Sequence, residues 1–240
     1  MSDSIMPQDI ENMIKKRYAE RYSVHGYSGE SLGWNKDKQD MRFHAITSSL
    51  EIKGSSVLDI GCGFGDILKY FGNLYHDLGI SSYYGVDLTG EFIQKAQEIY
   101  KNDPRILFEE GNFLNISIER KYDYVISAGM FNHDNYGMNM YAFIEEVMKK
   151  AFNLCNNAIV MDFLSHYVNY KNKDNFYSKP EKILEIAYKL SRNIILKNDY
   201  FPFEFCVIVF KDDTYDSQNT YFKTFQKNMK IYSQTQNCSE

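Results

Sequence analysis

The chain is 240 residues long, which suits one large domain or one domain with an appendage and allows a sizeable buried core. Hydrophobic residues make up 44% and charged residues 25%, the ordinary proportions of a soluble globular protein. A net charge of −5 with no basic stripe argues against a nucleic-acid backbone as the main partner, because phosphate contacts need clustered Lys and Arg.

The N-terminus is polar and acidic where a signal peptide would be basic and then apolar, and no uninterrupted apolar run has the length of a membrane span. A cytoplasmic protein without membrane contact is therefore predicted. From Gln8 to about Tyr22, the positions Ile10, Met13, Ile14, Tyr18 and Tyr22 fall near helical spacing and predict an amphipathic helix that ends at His25-Gly26. The glycine-rich connector HGYSGESLGW comes next and carries the only tryptophan, Trp34. A second helix is predicted from about Lys36 to Leu50, with Phe43, Ile46 and Leu50 on one face and Gln39 and Arg42 beside it.

The stretch VLDIGCGFGDIL, Val57 to Leu68, organises the rest of the chain. An apolar strand (Val57, Leu58, Ile60) stops in Gly61, Gly63 and Gly65 and passes into a helical pattern at Ile67, Leu68 and Phe71. Such a turn lets a ligand approach the main chain where a Cβ would intrude, and the next helix presents unsatisfied N–H groups to the same spot. The dinucleotide fingerprint wants its third glycine three residues after the second, and that position is Asp66. The run Asp59-x-Gly61-x-Gly63-x-Gly65 instead closely resembles the first motif of class I S-adenosylmethionine-dependent methyltransferases. The plain alternative is an ordinary strand-to-helix loop.

That resemblance implies a cofactor set. Asp59, Gly61 and Gly63 come from the motif itself. The strand SYYGVDL ends at Asp87, placed where a Rossmann-like unit grips ribose hydroxyls, with Leu88 beside it. The strand RILFEEGN ends in Gly111-Asn112-Phe113, where the family supplies an acidic or amide side chain to the adenine amine; Asn112 stands for the commoner Asp, and Phe113 would stack or pack on the base. Tyr122 to Ala128 resembles the fourth motif and brings Ser127 to the same edge. The helices of the first fifty residues resemble the family's N-terminal cap, which implies Arg42 at the methionine carboxylate with Trp34 stacking nearby. The alternative for Gln39 and Arg42 is a solvated helix face.

After Gly129 the chain enters a polar and aromatic loop with Phe131, Asn132, His133 and Asp134, expected to border the transferable methyl. His133 is the leading candidate for a general base, against the reading of a plain surface histidine. A helix from Asn139 to Leu154 and the strand NAIVMDFL complete the alternation of strand and helix that signals a parallel sheet. The long segment SHYVNYKNKDNFYSKP holds His166, the reserve catalytic candidate, among aromatics that suit an acceptor-binding insertion at about 163–179. Ser178, Pro180 and Glu181 predict a capping-box start for the helix EKILEIAYKLS. Two strands, about Ile194 to Tyr200 and Phe203 to Lys211, lie so close around Pro202 that they must form an antiparallel hairpin. In the polar tail from Asp212, Phe222, Phe225, Met229 and Tyr232 at helical spacing leave open a docked helix or self-association.

The expected fold is accordingly α/β: a three-layer Rossmann-like sandwich, its mostly parallel seven-stranded sheet ending in an antiparallel hairpin. The expected organisation is a cap over 1–50, a methyltransferase domain over 51–211 and a tail over 212–240. The four cysteines, Cys62, Cys155, Cys206 and Cys238, have no spacing for zinc or a redox dithiol and read as reduced thiols. Aromatics reach 16%, and the excess is placed in the core and around a ligand pocket.

The resemblance implies methyl transfer from S-adenosyl-L-methionine, giving S-adenosyl-L-homocysteine, to an oxygen (less readily a nitrogen) of a small polar acceptor. The segment from His25 to Phe43 resembles N-terminal caps of small bacterial methyltransferases found with surface-polysaccharide pathways, which implies surface-polysaccharide or capsule building blocks such as a sugar or a phosphoramidate. Alternatives are a non-catalytic S-adenosylmethionine-binding regulator, a nicotinamide oxidoreductase, and a metal-assisted transfer using Asp134 and Asp162, though no resident metal is expected. A homodimer through the cap or the tail stays open.

Overall fold

A computed structural model describes residues 5–33, 38–75, 77–134 and 137–225. Its centre is a seven-stranded sheet in the order β3-β2-β1-β4-β5-β7-β6. β1 (Ser56–Ile60), β2 (Ser82–Asp87), β3 (Ile106–Glu110), β4 (Tyr122–Ser127) and β5 (Cys155–Leu164) run parallel, while β7 (Glu204–Phe210) pairs antiparallel with both β5 and β6 (Ile194–Lys197). The central strands are near-continuous apolar runs because both sheet faces are covered by helices. Alternation divides the core in two. Leu58, Ile60, Val125, Ile159 and Met161 face one layer, and Val57, Tyr124, Ile126, Ala158 and Val160 face the other.

The crossover helices α4 (Ile67–Tyr75), α5 (Gly90–Tyr100), α6 (Met140–Leu154) and α7 (Pro180–Tyr188) come after β1, β2, β4 and β5. The chain winds outward from β1 to β3 and then returns to β4, so the strand order reverses between β1 and β4. A crevice opens outside the carboxyl ends of the strands at such a reversal.

Three helices precede the sheet: α1 (Gln8–His25), the short α2 (Gly29–Leu32) and α3 (Gln39–Thr47). A ring cluster anchors α1: Tyr18 and Tyr22 meet Phe92 edge-on at centroid distances of 5.9 and 6.0 Å, and Tyr22 lies 5.8 Å from Phe64 of the glycine turn. α3 packs on the other end of the sheet. Lys197 Nζ of β6 donates to Ala45 O at 3.0 Å and to Ser48 Oγ at 2.7 Å. Arg42 of α3 is buried. Its Nε and Nη2 donate to the two oxygens of Glu204 at 2.8 and 2.7 Å, and its Nε lies 3.1 Å from Asp162 Oδ2.

Several local expectations change. The second helix is shorter than predicted, ending at Thr47. β6 stops at Lys197, and the segment through Tyr200 turns back without pairing along its whole length. The predicted capping box does not form: Lys179 occupies the N-cap position, because Ser178 is drawn into extended pairing with Ser165, with its N–H donating to Leu164 O at 2.8 Å. Pro180 does take the first helical turn. The described chain is barely helical at 223–225, and Met229 and Tyr232 lie outside the described residues.

Arg42→Ala leaves the carboxylates of Asp162 and Glu204 facing each other in the interior. Loss of one partner from a buried ion cluster costs about 3–5 kcal/mol, and denaturant unfolding at pH 7 should register that loss.

Candidate active site

The crevice at the strand-order reversal is a cavity with a floor from the sheet and a roof from the N-terminal helices. Ile60 and Gly61 from β1 and its turn, Val86, Asp87, Leu88 and Thr89 from the end of β2, and Gly111, Asn112 and Phe113 after β3 form the floor. Met6 before α1, Ile14, Arg17 and Tyr18 of α1, and Leu32 of α2 form the roof. Ala128, Gly129, Met130 and His133 after β4, with Phe143 of α6, close the remaining side.

The glycine turn is bound to its neighbour strand through one side chain. Gly63 N–H donates to Asp87 Oδ2 at 2.9 Å and Thr89 N–H donates to Asp87 Oδ1 at 2.8 Å, while Gly61 N–H and Cys62 N–H both reach Val86 O. Burial pushes the Asp87 carboxyl up, and the two backbone donors pull it back. Each oxygen accepts one backbone bond, and the Thr89 side chain adds a further hydrogen bond to the carboxylate. Gly63 has φ +55°, a backbone conformation that favours glycine, and a Cβ there would lie 2.8 Å from Leu32 Cδ2, so the Leu32 side chain of α2 would have to shift.

Asn112 is buried and used on both atoms: its Oδ1 accepts from Leu114 N–H at 3.0 Å, and its Nδ2 donates to Glu11 Oε2 of α1 at 3.0 Å. Phe113 packs below it, with Lys150 Nζ 4.9 Å from its ring centroid. His133 lines the cavity on a loop that pairs with the 165–178 segment: residues 133 and 175 bridge, Asp134 N–H donates to Asp174 O at 3.0 Å, and Phe176 N–H donates to Asn132 O at 3.2 Å.

Gly61, Asp87, Leu88, Asn112, Phe113 and His133 thus share one cavity, as expected. Others do not reach it. Asp59 points to the opposite sheet face, because strand alternation puts Ile60 and not Asp59 on the cavity side. There Tyr83 OH donates to Asp59 Oδ2 at 2.7 Å, and burial raises this carboxyl to about 7. Ser127 Oγ donates to Ile60 O at 2.8 Å and joins β4 to β1. Gly63 serves the turn beneath Leu32. Arg42 is spent on Glu204 and Asp162, away from the cavity. His166 lies outside it, with Lys171 Nζ 2.9 Å from its Nδ1. Trp34 lies outside the described residues.

Of the two carboxylates considered for a metal, Asp134 is exposed and Asp162 is buried beneath Arg42. Among the described residues no group of three His, Cys, Asp or Glu side chains is placed to hold a metal, and no helix is long and apolar enough to cross a membrane.

Sequence reasoning missed Arg17. It lies one turn from Ile14 on the inward side of α1, and among the described residues no carboxylate comes within ion-pair distance of it. The helical pattern that marked Ile14 and Tyr18 as inward also marked position 17, a signal available but unused.

Residues 57–151 match the model of a methyltransferase domain. The putative methyltransferase 235L of Invertebrate iridescent virus 6 is 34% identical over 98 residues, which are 40% of this chain and 35% of that protein. The cyclopropane-fatty-acyl-phospholipid synthase of Escherichia coli strain K12 is 34% identical over 97 residues, 40% of this chain and 23% of that protein. The chain therefore spans little more than a third of the first relative and under a quarter of the second. In fold it is similar to magnesium protoporphyrin IX methyltransferase from Synechocystis PCC 6803 with bound SAH, at a TM-score of 0.59 and 14% identity, over 85% of this chain and 100% of that one. Glycine turn and sheet order agree with these likenesses: residues 57–151 resemble a methyltransferase domain, and the fold is similar to that of the Synechocystis methyltransferase.

The displaced Asp59 yields a sign-specific expectation. A carboxyl raised from 3.8 to about 7 holds its proton in the folded state where the unfolded chain has lost it, so its contribution to stability is full below pH 4 and declines as pH rises to about 7. Asp59→Asn keeps an acceptor for Tyr83 without the buried charge. Thermal melts should show the variant gaining on wild type between pH 4 and 7 and holding a constant advantage above pH 7.

Proposed function

We propose that this protein is an S-adenosylmethionine-dependent methyltransferase acting on an oxygen of a small polar acceptor, with the cavity outside β1, β2 and β4 as its active site. The observation that carries the reading is the convergence of Gly61, Asp87, Leu88, Asn112 and Phe113 on one cavity that ends at His133. When bound, the cofactor supplies an electrophilic sulfonium methyl, and the protein's task is alignment.

Asp87 lines the cavity where a ribose hydroxyl could donate to it while it still holds Gly63 and Thr89. Leu88 and Phe113 give apolar faces for a flat base, and Asn112 marks its polar edge. Arg17 replaces Arg42 as the cation for the methionine carboxylate, because it faces the cavity and Arg42 does not. His133 stands at the β4 side, where an acceptor hydroxyl would lie, and an imidazole there takes the hydroxyl proton as the new bond forms. The aromatic 165–178 segment, paired to the His133 loop, suits acceptor binding. Sugars and phosphoramidates of surface-polysaccharide pathways are the first acceptors to screen.

A non-catalytic regulator and a nicotinamide oxidoreductase are outcomes of the same test. Calorimetry should give binding of S-adenosylmethionine and S-adenosylhomocysteine and none of NAD. Binding without product from any acceptor would favour the regulator, and binding of NAD alone would overturn the cofactor assignment. Arg17→Ala should weaken S-adenosylhomocysteine roughly 10- to 100-fold, the scale of a hydrogen bond to a charged group, while leaving 5′-methylthioadenosine, which lacks the carboxylate, unchanged. His133→Ala should lower turnover of a hydroxyl acceptor about 10²-fold with cofactor affinity retained, and the wild-type rate should fall on the acid side of the imidazole titration.

A further inference from the structure

The buried cluster of Arg42, Asp162 and Glu204 joins three elements distant in sequence, α3, β5 and β7. It holds one guanidinium and two carboxylates, with side-chain exposures of 6%, 0% and 12%. Such a cluster is a poor device for stability, since an apolar replacement of similar volume is often as stable or more so. Its geometry shows another use. Asp162 lies one residue past Met161, which pairs with Ser127 at the carboxyl end of β4. There the Asp162 Oδ1 accepts from Gly129 N–H, and Oδ2 faces Arg42 Nε at 3.1 Å.

Gly129, with φ +84°, is where the chain leaves β4 for the loop that brings Met130 and His133 to the cavity. The same loop is held a second time from β5, by Leu164 N–H donating to Asn132 Oδ1 at 2.9 Å. Both attachments come from one strand, and the first is a charge whose orientation depends on the N-terminal cap.

We propose that Asp162 is a positioning residue for the candidate active site: its carboxylate sets Gly129 and hence the loop carrying Met130 and His133, and Arg42 of the cap holds that carboxylate in place. The inference deepens the reading of this cavity as a methyl-transfer site and rests on it for its catalytic arm. It also means that the cap contributes to the site twice, by roofing the cavity through α1 and α2 and by orienting the β4 loop through α3.

Asp162→Asn tests it. An amide offers one acceptor oxygen and no charge: if that oxygen stays on Gly129 N–H, an NH2 group replaces the charged oxygen now 3.1 Å from Arg42 Nε, whose own N–H goes to Glu204, so one of the two contacts must be lost. Glu204→Gln is the comparator, because it removes the same charge from the same cluster without touching Gly129. With an acceptor identified, Asp162→Asn should lower kcat at least tenfold with the cofactor KM unchanged, and Glu204→Gln should stay near wild type. Equal losses in both variants, or wild-type kcat in a folded Asp162→Asn, would overturn the proposal.

A second readout needs no turnover and no variant at 162. In glycine-labelled wild-type protein the Gly129 amide resonance should move with pH as Asp162 titrates, at about 6. The groups facing Asp162 are Arg42 from α3, Glu204 and Cys206 from β7, and Tyr200 from the segment before it. Glu204→Gln removes a like charge and should lower the midpoint. A Gly129 resonance insensitive to pH would overturn the proposal even if methyl transfer were confirmed, and a titrating one would uphold the positioning contact even if no acceptor were found.

Discussion

The structure depends on the buried carboxylate of Asp87. One side chain fixes two things that a strand-to-helix turn cannot fix alone: the path of the glycine run, through Gly63, and the entry into α5, through Thr89. The backbone of both segments would otherwise present unsatisfied N–H groups to an apolar cavity, at a cost of about 1–3 kcal/mol each. By satisfying them from β2, Asp87 locks the ends of β1 and β2 into one surface. The roof can then seat closely: Leu32 rests on Gly63, and Tyr18 and Tyr22 meet Phe92 and Phe64.

Three carboxylates inside this protein organise backbone. Asp87 holds the turn after β1, Asp162 holds the turn after β4, and Asp123 accepts from Ser56 N–H and Oγ at 2.8 Å, tying the start of β1 to β4. Asp59 bonds a side chain instead. It answers only to Tyr83, and its raised carboxyl records a charge that the surroundings do not compensate. The turn after β4 is therefore bonded to a member of the ion cluster, while the buried acid of the glycine motif lies off the cavity.

Most of the fold was legible because its signals are local and repeated. Apolar runs marked the strands, period 3.6 marked the helices, and the Pro202 gap forced the terminal hairpin. The cavity floor was legible for the same reason: residues at the ends of parallel strands converge wherever strand order reverses. What was not legible depended on partners far away in sequence. Arg42 was beside an apolar face, as its spacing said, yet its destination was set by Glu204 across 162 positions. Ser178 had the sequence of a cap and lost it to pairing with Ser165. Asp59 failed for a nearer reason, since a motif names residues without saying which sheet face each one takes.

The contact between Glu11 and Asn112 ties the roof of the cavity to its floor. Asn112 already has a partner from α1, and Leu32 already covers the turn, so a molecule arriving at the floor meets groups that are engaged with the roof. The edge contacts of Tyr18 and Tyr22 contribute about 0.5–1.5 kcal/mol apiece to keeping it down. Floor and roof are thus tied by a hydrogen bond at one point and by ring contacts at another.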